Sequence, residues 1–302
     1  MRFCIVTPSF NQAQFIERTI RSVLDQDVDL EYVIVDGSST DGTAQILEHY
    51  GTRLRWMSEP DRGQADAVNK GIRLTGGDII GWLNSDDVYR DGALRMVREL
   101  FEAQPRVDVL YGDADLIDAL DQVIGRYYTE PWSLARLYER PFLSQPAVFF
   151  RRCVVDRWGL LDESLQYTMD YEYWLRVARG GARFAYLPMT LAGARLHPET
   201  KTSSRGLDLY TELHPMLRRY LPRTPDSWIL SHAHAILDAT HTGRFSTPLA
   251  FGVAVALVSV RLALHTNGAI SPGLARSTLR TLATATVRTV RGDSVADVLR
   301  RR

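Results

Sequence analysis

The sequence predicts an α/β fold: a Rossmann-like, mostly parallel central sheet flanked by helices, with a C-terminal helical extension. Three observations predict it. Short apolar runs alternate with helix-spaced stretches through the first hundred residues. Three of those runs end in clusters of small polar and acidic residues. Beyond Leu207 the pattern is helical, broken at Pro222, Pro225 and Pro272.

The elements follow in order. Phe3 to Thr7 reads as a buried strand ending at Pro8. Gln14 to Gln26 carries Phe15, Ile16, Ile20, Val23 and Leu24 at helical spacing. Tyr32-Val33-Ile34-Val35 is a second strand, closed by Asp36-Gly37-Ser38-Ser39. Asp41-Gly42-Thr43 opens a helix toward Tyr50, and Leu54 to Met57 reads as a third strand. Gln64 to Leu74 is a helix stopped by Gly76-Gly77. Asp78 to Leu83 is a fourth strand, closed by Asn84-Ser85-Asp86-Asp87, and Asp91 to Phe101 is a helix. Farther on, Val107 to Tyr111, Ala147 to Arg151, Phe184 to Leu187 and Leu191 to Leu196 look like strands, and Met169 to Arg179 like a helix. Strands alternating with helices form parallel sheets covered on both faces. Such sheets bind ligands beyond the carboxyl ends of their strands, so the clusters Pro8–Asn11, Asp36–Ser39 and Asn84–Asp87 should converge on one crevice.

Composition bounds the function. The 302 residues are 45% hydrophobic, enough for a full core. Lys plus Arg equals Asp plus Glu at 36 each, which gives no electrostatic case for nucleic acid. Cys4 and Cys153, both in strand-like runs, read as buried free thiols of a reducing cytoplasm. Met1 to Val6 turns polar too quickly for a signal peptide. The uncharged stretch Phe245 to Val260 falls short of the ~20 apolar residues a membrane span needs, so a buried or interfacial helix is expected.

The candidate chemistry lies in carboxylates. Adjacent Asp86 and Asp87 repel unless a cation or hydrogen-bond donors neutralise them. A divalent metal with oxygen ligands would do so, as would an ordinary turn with capping Asp residues. Asp36 at a strand end can accept from a ribose hydroxyl or a base N–H, or simply form a turn. Asp170 and Glu172 open a helix, where a carboxylate either caps the helix or serves as a general base. His197 follows an apolar run and is a possible metal ligand.

Taken together, the ordered segments Val6–Asn11, Val33–Thr43, Asp66–Gly71, Gly81–Asp87 and Met169–Arg176 resemble the inverting glycosyltransferases of family 2, which have the GT-A fold. The resemblance covers roughly residues 1–200. It implies a catalytic domain over 1–205, with a nucleotide-sugar part to about 112 and an acceptor part over 113–205. It implies that Thr7, Pro8, Ser9 and Phe10 line the nucleotide pocket and that Asp36, and more weakly Asp66, face the nucleoside. Asn84 and Asp86 stand at the two ends of the family's Asp-x-Asp motif, with Ser85 between them. Asp86 and His197 would hold Mn2+ or Mg2+, and Asp170 would be the catalytic base. Two departures stand out: Asn84 replaces the first Asp, leaving Asp87 to compensate, and Met169 replaces the first carboxylate of the Glu-Asp motif.

The implied activity is transfer of a sugar from a nucleotide-diphosphate sugar to a saccharide or glycolipid acceptor, in cell-envelope polysaccharide or glycolipid synthesis. A noncatalytic nucleotide-sugar-binding protein is the alternative. A Rossmann oxidoreductase is disfavoured, because no Gly-x-Gly-x-x-Gly follows the first strand.

The extension, 206–302, is expected to associate with the inner face of the cell membrane or to support a homo-oligomer. Leu279, Leu282 and Val290 fall on one side of a helix, with Arg276, Arg280, Arg288 and Arg291 toward another. Arg300, Arg301 and Arg302 close the chain.

Overall fold

The computed structural model describes residues 1–198, 200, 206–241, 245, 247–291 and 295. Arg300 to Arg302 and Arg205, the expected last residue of the catalytic domain, lie outside the described residues. The chain forms two compact units, one within Met1–Leu137 and Pro141–Ser204, the other within Tyr138–Arg140 and Arg205–Arg302.

The first unit is built on a sheet whose described strands are β1 (Phe3–Ser9), β2 (Leu30–Asp36), β3 (Arg55–Ser58), β4 (Ile79–Trp82), β5 (Val88–Tyr89), β6 (Val109–Ile117), β7 (Val123–Arg126), β8 (Val148–Arg151) and β9 (Phe184–Arg195). Their order is β3-β2-β1-β4-β8-β6-β9-β5, with β7 paired to β6. The pairings set β1, β2, β3, β4, β6 and β9 in one direction and β5, β7 and β8 in the other. The carboxyl ends of β1, β2, β4, β6 and β9 therefore share one edge of the sheet.

Helices α1 (Ile16–Leu24), α2 (Thr43–His49), α3 (Gln64–Arg73), α4 (Ala93–Ala103), α5 (Leu134–Glu139), α6 (Arg152–Trp158) and α7 (Met169–Arg179) connect the strands. Every residue of β1 is buried, as expected for a central strand covered on both faces. One core cluster joins Phe3, Ile5, Ile16, Ile20, Ile34, Leu94, Val97, Leu110 and Phe149. On the other face α3 lies so close that a Cβ on Gly71 would stand 2.2 Å from the Val6 side chain.

Two expectations change. The runs Phe184–Leu187 and Leu191–Leu196 merge into the single strand β9. Register shifts in its pairing with β6, between Gly112 and Ala114, absorb the Pro188-Met189 interruption. Cys153 is half-buried in α6 rather than buried in a strand. The strand stops at Arg151, and the Arg152 guanidinium is held by the Gly77 and Ile72 carbonyls.

The second unit holds α8 (Asp208–Arg218), α9 (Asp226–His241), α10 (Pro248–Asn267) and α11 (Pro272–Val290). Thr247 and Ser271 cap α10 and α11, each accepting from the backbone three residues on, and each helix has Pro at its first position. By length and composition α10 could cross a membrane, contrary to the shorter uncharged run read from sequence. The difference is that the helix continues through Arg261 to Asn267. Leu282 is half-buried, whereas Leu279, Val287 and Val290 share the exposed surface of α11 with Arg276, Arg280 and Arg291.

Candidate active site

The site is built where β1, β2 and β4 end. Register pairs Ser9 with Asp36 and Val6 with Trp82, so the three loops leave the sheet side by side. The first two loops are tied together. The Gly37 N–H donates to the Ser9 carbonyl at 2.8 Å, Asn11 N–H to Ser39 Oγ at 2.8 Å, and Thr40 N–H to Asn11 Oδ1 at 2.9 Å. Asn11 and Ser38 adopt φ of +52° and +65°. Non-glycine residues hold such backbones only where the surroundings fix them, often at functional sites.

The four expected pocket residues differ in burial and bonding. Thr7 is fully buried, and its Oγ1 lies 3.1 Å from Tyr32 Oη, so its side chain serves the sheet interior and not the crevice. Pro8 is buried, and Phe10 stands 61% exposed at the mouth. Ser9 Oγ is buried with no hydrogen-bond partner among the described residues. An unpaired buried hydroxyl at a strand end is costly unless something binds there.

Asp36 is fully buried and its carboxylate is already well supplied. Oδ1 accepts from Ser39 Oγ at 2.5 Å, and Oδ2 accepts from the Ser39 N–H at 2.9 Å and Ser58 Oγ at 2.6 Å. A carboxylate offers about four acceptor sites, so roughly one remains. Asp66 sits in the first turn of α3, where its Oδ2 accepts from the Arg62 N–H at 3.1 Å and pairs with Lys70 at 3.4 Å. Burial pushes its pKa up, but the Arg62 backbone and side chain, together with Lys70, prevail and hold it below the ordinary carboxylate range.

The Asn84–Asp87 turn is fixed on every side. Asn84 Oδ1 accepts from Gln64 Nε2 at 2.6 Å and Trp82 Nε1 at 2.9 Å, while its Nδ2 donates to Asp87 Oδ2 and Gln145 Oε1. Its hydrogen-bonding capacity is taken up inside the protein, which makes Asn84 a brace for the turn. Thr19 Oγ1 reaches the Ser85 and Asp87 carbonyls at 2.9 and 2.7 Å. Asp87 is buried and accepts from the Arg195 N–H at 2.8 Å. Burial first, and the neighbouring Asp86 charge second, push its pKa well above the carboxylate range. Asp87 is thus committed to the interior and does not compensate for the missing first Asp.

Asp86 points the other way. Its Oδ2 lies 3.0 Å from His197 Nε2. Bonds to Mg2+ run at roughly 2.0–2.1 Å in octahedral geometry, which puts adjacent ligand atoms about 3 Å apart. The donor set, one carboxylate oxygen and one imidazole nitrogen, suits a divalent ion that takes its remaining ligands from phosphate and water. No group of three or more His, Cys, Asp or Glu able to hold a metal occurs among the described residues, so any metal here would depend on nonprotein ligands.

Sequence reading missed the residue that organises this corner. Arg195 ends β9 with a fully buried side chain. Nε donates to the Asp86 carbonyl and Nη1 to the Asp118 carbonyl, both at 2.6 Å, and Nη2 pairs with Asp121. Its guanidinium stacks 4.8 Å from the Phe15 ring, whose centroid lies 4.8 Å from that of His197. Asp121 also pairs with Arg18 and holds φ +66°. Burial raises the Asp121 pKa, but Arg195 and Arg18 outweigh it and lower the pKa overall. The signal was present in the sequence: an arginine inside the apolar run Leu191–Leu196 must find partners if that run is buried.

Asp170 and Glu172 open α7 and are treated differently. Glu172 is buried and grips Arg176 through both oxygens at 3.0 Å, while Arg176 Nη2 donates to the Leu160 carbonyl. Asp170 is half-buried at the helix start, with Oδ1 accepting from the Tyr171 N–H at 2.7 Å. The segment before α7 is laced to α3: Leu161 N–H donates to Asn69 Oδ1, and Gln166 packs where a Gly63 side chain would stand.

The Glycosyl transferase family 2 profile matches residues 4–155. Chondroitin synthase of Escherichia coli is 31% identical over 219 residues, 70% of this chain but 31% of its own length. The chain thus spans about a third of that relative. An uncharacterised glycosyltransferase of Rickettsia prowazekii is 26% identical over 78% of this chain and 77% of its own. Among solved structures, S. aureus TarS 1–349 in complex with UDP-GlcNAc aligns with a TM-score of 0.61 at 18% identity, covering 97% of this chain and 93% of that one. The mannosyltransferase PcManGT from Pyrobaculum calidifontis, in complex with GDP-Man and Mn2+, gives 0.57 at 19% identity, covering 95% and 86%. The shared fold is GT-A.

Proposed function

The chain belongs to glycosyltransferase family 2, and from that premise we propose a metal-dependent, inverting hexosyl transfer from a nucleoside-diphosphate sugar to an acceptor hydroxyl, in polysaccharide or glycolipid synthesis. The apposition of Asp86 and His197 at the carboxyl edge of the sheet carries this reading. The donor complexes of TarS and PcManGT support the nucleotide sugar, and the Mn2+ of PcManGT supports the ion.

In this reading Asp36 uses its remaining acceptor site on the nucleoside, beside Ser9 and Phe10. Asp66 acts through the Arg62 loop. Asp86 and His197 would hold Mn2+ or Mg2+, and the ion would supply positive charge beside the leaving diphosphate. Asn84 and Ser85 set the turn that presents Asp86. Asp170 takes the proton from the acceptor hydroxyl. That oxygen bonds to the anomeric carbon as the carbon–phosphate-oxygen bond breaks, and the electron pair leaves on the nucleoside diphosphate. One displacement through an oxocarbenium-like transition state inverts the anomeric centre.

The domain reading follows: residues 1–205 catalytic, the donor part to about 112 and the acceptor part beyond it, and 206–302 an extension. Thermal shift with a panel of nucleotide sugars, with and without Mn2+, tests the proposal, because a ligand of the native state stabilises it by mass action. Stabilisation that needs both ligands is expected. No metal-dependent shift with any nucleoside diphosphate or nucleotide sugar would overturn the metal assignment. Binding without turnover on any acceptor would leave a nucleotide-sugar-binding protein.

A further inference from the structure

Four residues join α10 to α11, and short connections make helices antiparallel neighbours. They pack closely: a Cβ on Gly252 would stand 2.8 Å from Ala285 Cβ. The inner face of α10, with Phe251, Val255 and Ala263, packs against Leu237, Ile229 and Leu274. Asn267 anchors its end, exchanging two 2.9 Å hydrogen bonds with the Thr224 backbone.

The outer faces carry large apolar side chains that no described residue of the unit buries. On α10 these are Val253, Leu257 and Leu264, at 41, 66 and 51% exposure and one to two turns apart. On α11 they are Leu279, Val287 and Val290, at 65, 50 and 83%. Charge on the same segment has one sign. The chain carries 36 acidic and 36 basic residues, yet from Pro248 to Arg291 there is no Asp or Glu, while Arg261, Arg276, Arg280, Arg288 and Arg291 all occur. Arg261, Arg276, Arg280 and Arg291 are exposed.

We infer that the exposed face of α10 and α11 is a docking surface for an anionic lipid bilayer, with the leucines and valines at the acyl boundary and the arginines at the lipid phosphates. Leucine and valine among arginines, with no acid between, match the apolar interior and negative surface of such a membrane. A second copy of the same face would set arginine against arginine with nothing to neutralise them. A spanning helix is disfavoured by Arg261 within α10 and by the packing of its inner face on α9 and α11. The inference goes beyond the transferase reading and stands independently of it, because lipid binding is read without turnover.

The test is flotation of the full chain with phosphatidylcholine vesicles, with and without phosphatidylglycerol, and donor binding measured alongside. Flotation is expected only with phosphatidylglycerol, at low salt, and released by high salt. The triple change Leu257→Ser, Leu264→Ser and Leu279→Ser should lower the bound fraction at least about tenfold, since each removes exposed apolar area that enters the bilayer. Arg276→Gln with Arg280→Gln should weaken binding and flatten its salt dependence. Both variants should keep donor binding, since every substituted residue lies in the second unit. Failure of the wild type to float, or equal flotation by all forms, overturns the inference. So does retention through high salt and alkaline washing, the mark of a spanning segment. A wild-type dimer that the leucine changes dissociate, without flotation, assigns the face to a second copy instead.

Discussion

Asp86 Oδ2 and His197 Nε2 lie 3.0 Å apart although 111 residues separate them in sequence. One follows β4 and the other follows β9, strands that leave the sheet at the same edge. The fold thus brings a carboxylate and an imidazole within hydrogen-bond distance, and the proposed function places an ion on the pair.

Asp86→Ala and His197→Ala should therefore both lose most of the nucleoside diphosphate affinity that Mn2+ confers, with little change in metal-free binding. Calorimetric titration of the diphosphate with and without Mn2+ reads this directly. If His197→Ala kept the full metal increment while Asp86→Ala lost it, the imidazole would be a packing residue on Phe15.

Arg195 links the Asp86 backbone to the Asp118–Asp121 turn. Arg195→Lys keeps the charge but not the planar fork, which makes three contacts at once. Metal-supported nucleotide binding should fall ~10–100-fold, the usual effect of disturbing groups that orient metal ligands. In an Asp86→Ala background the same change should add little, since coupled sites are non-additive. Additive losses would make Arg195 a general stabiliser only.

The two carboxylates of α7 separate by the same logic. Asp170→Asn should retain donor affinity and lose ~10²–10⁴-fold in kcat, the range of general-base catalysis. Glu172→Gln breaks a buried pair with Arg176 and should cost on the order of 1–3 kcal/mol of stability, discounted because Arg176 is partly exposed. Its kcat at a temperature where it is folded should stay near wild type. A Glu172→Gln enzyme that folds normally but does not turn over would move the base by two residues.

Periodicity carried much of this architecture. The buried strands β1, β2 and β4 are apolar runs with polar ends, and those polar ends mark where each strand leaves the sheet. The convergence of Ser9, Asp36 and Asp86 on one edge was readable for that reason. Other features were not, and the causes are physical. β5 is two residues long and exists because β9 pairs with it. Pro188 split β9 on paper, while a register shift in β6 keeps it whole. The split between Asp86, turned to His197, and Asp87, turned inward to Arg195, depends on contacts across 111 and 108 residues, which no local window contains.

The helical unit carries a pH dependence of its own. His214 on α8 and His232 on α9 meet Nε2 to Nδ1 at 2.9 Å, and His232 stacks on Tyr210 with centroids 4.3 Å apart. One nitrogen of this hydrogen bond must be bare, so the pair cannot be doubly protonated without losing it. His214 Nδ1 is buried without a partner among the described residues. Burial first, and the neighbouring His232 second, lower the His214 pKa from 6.5 to about 4; burial lowers that of His232 as well. The unfolded chain therefore binds more protons than the folded one between about pH 6.5 and 4. The stability this pair contributes is fully present above pH 6.5 and is lost as the pH falls toward 4, by on the order of 2 kcal/mol after discounting for partial exposure. Hydrogen exchange of peptides from α8 and α9 should lose protection over that window in the wild type. His214→Leu, which leaves no group there to titrate, should flatten the dependence. Parallel loss of protection in both proteins would assign the acid sensitivity to other groups.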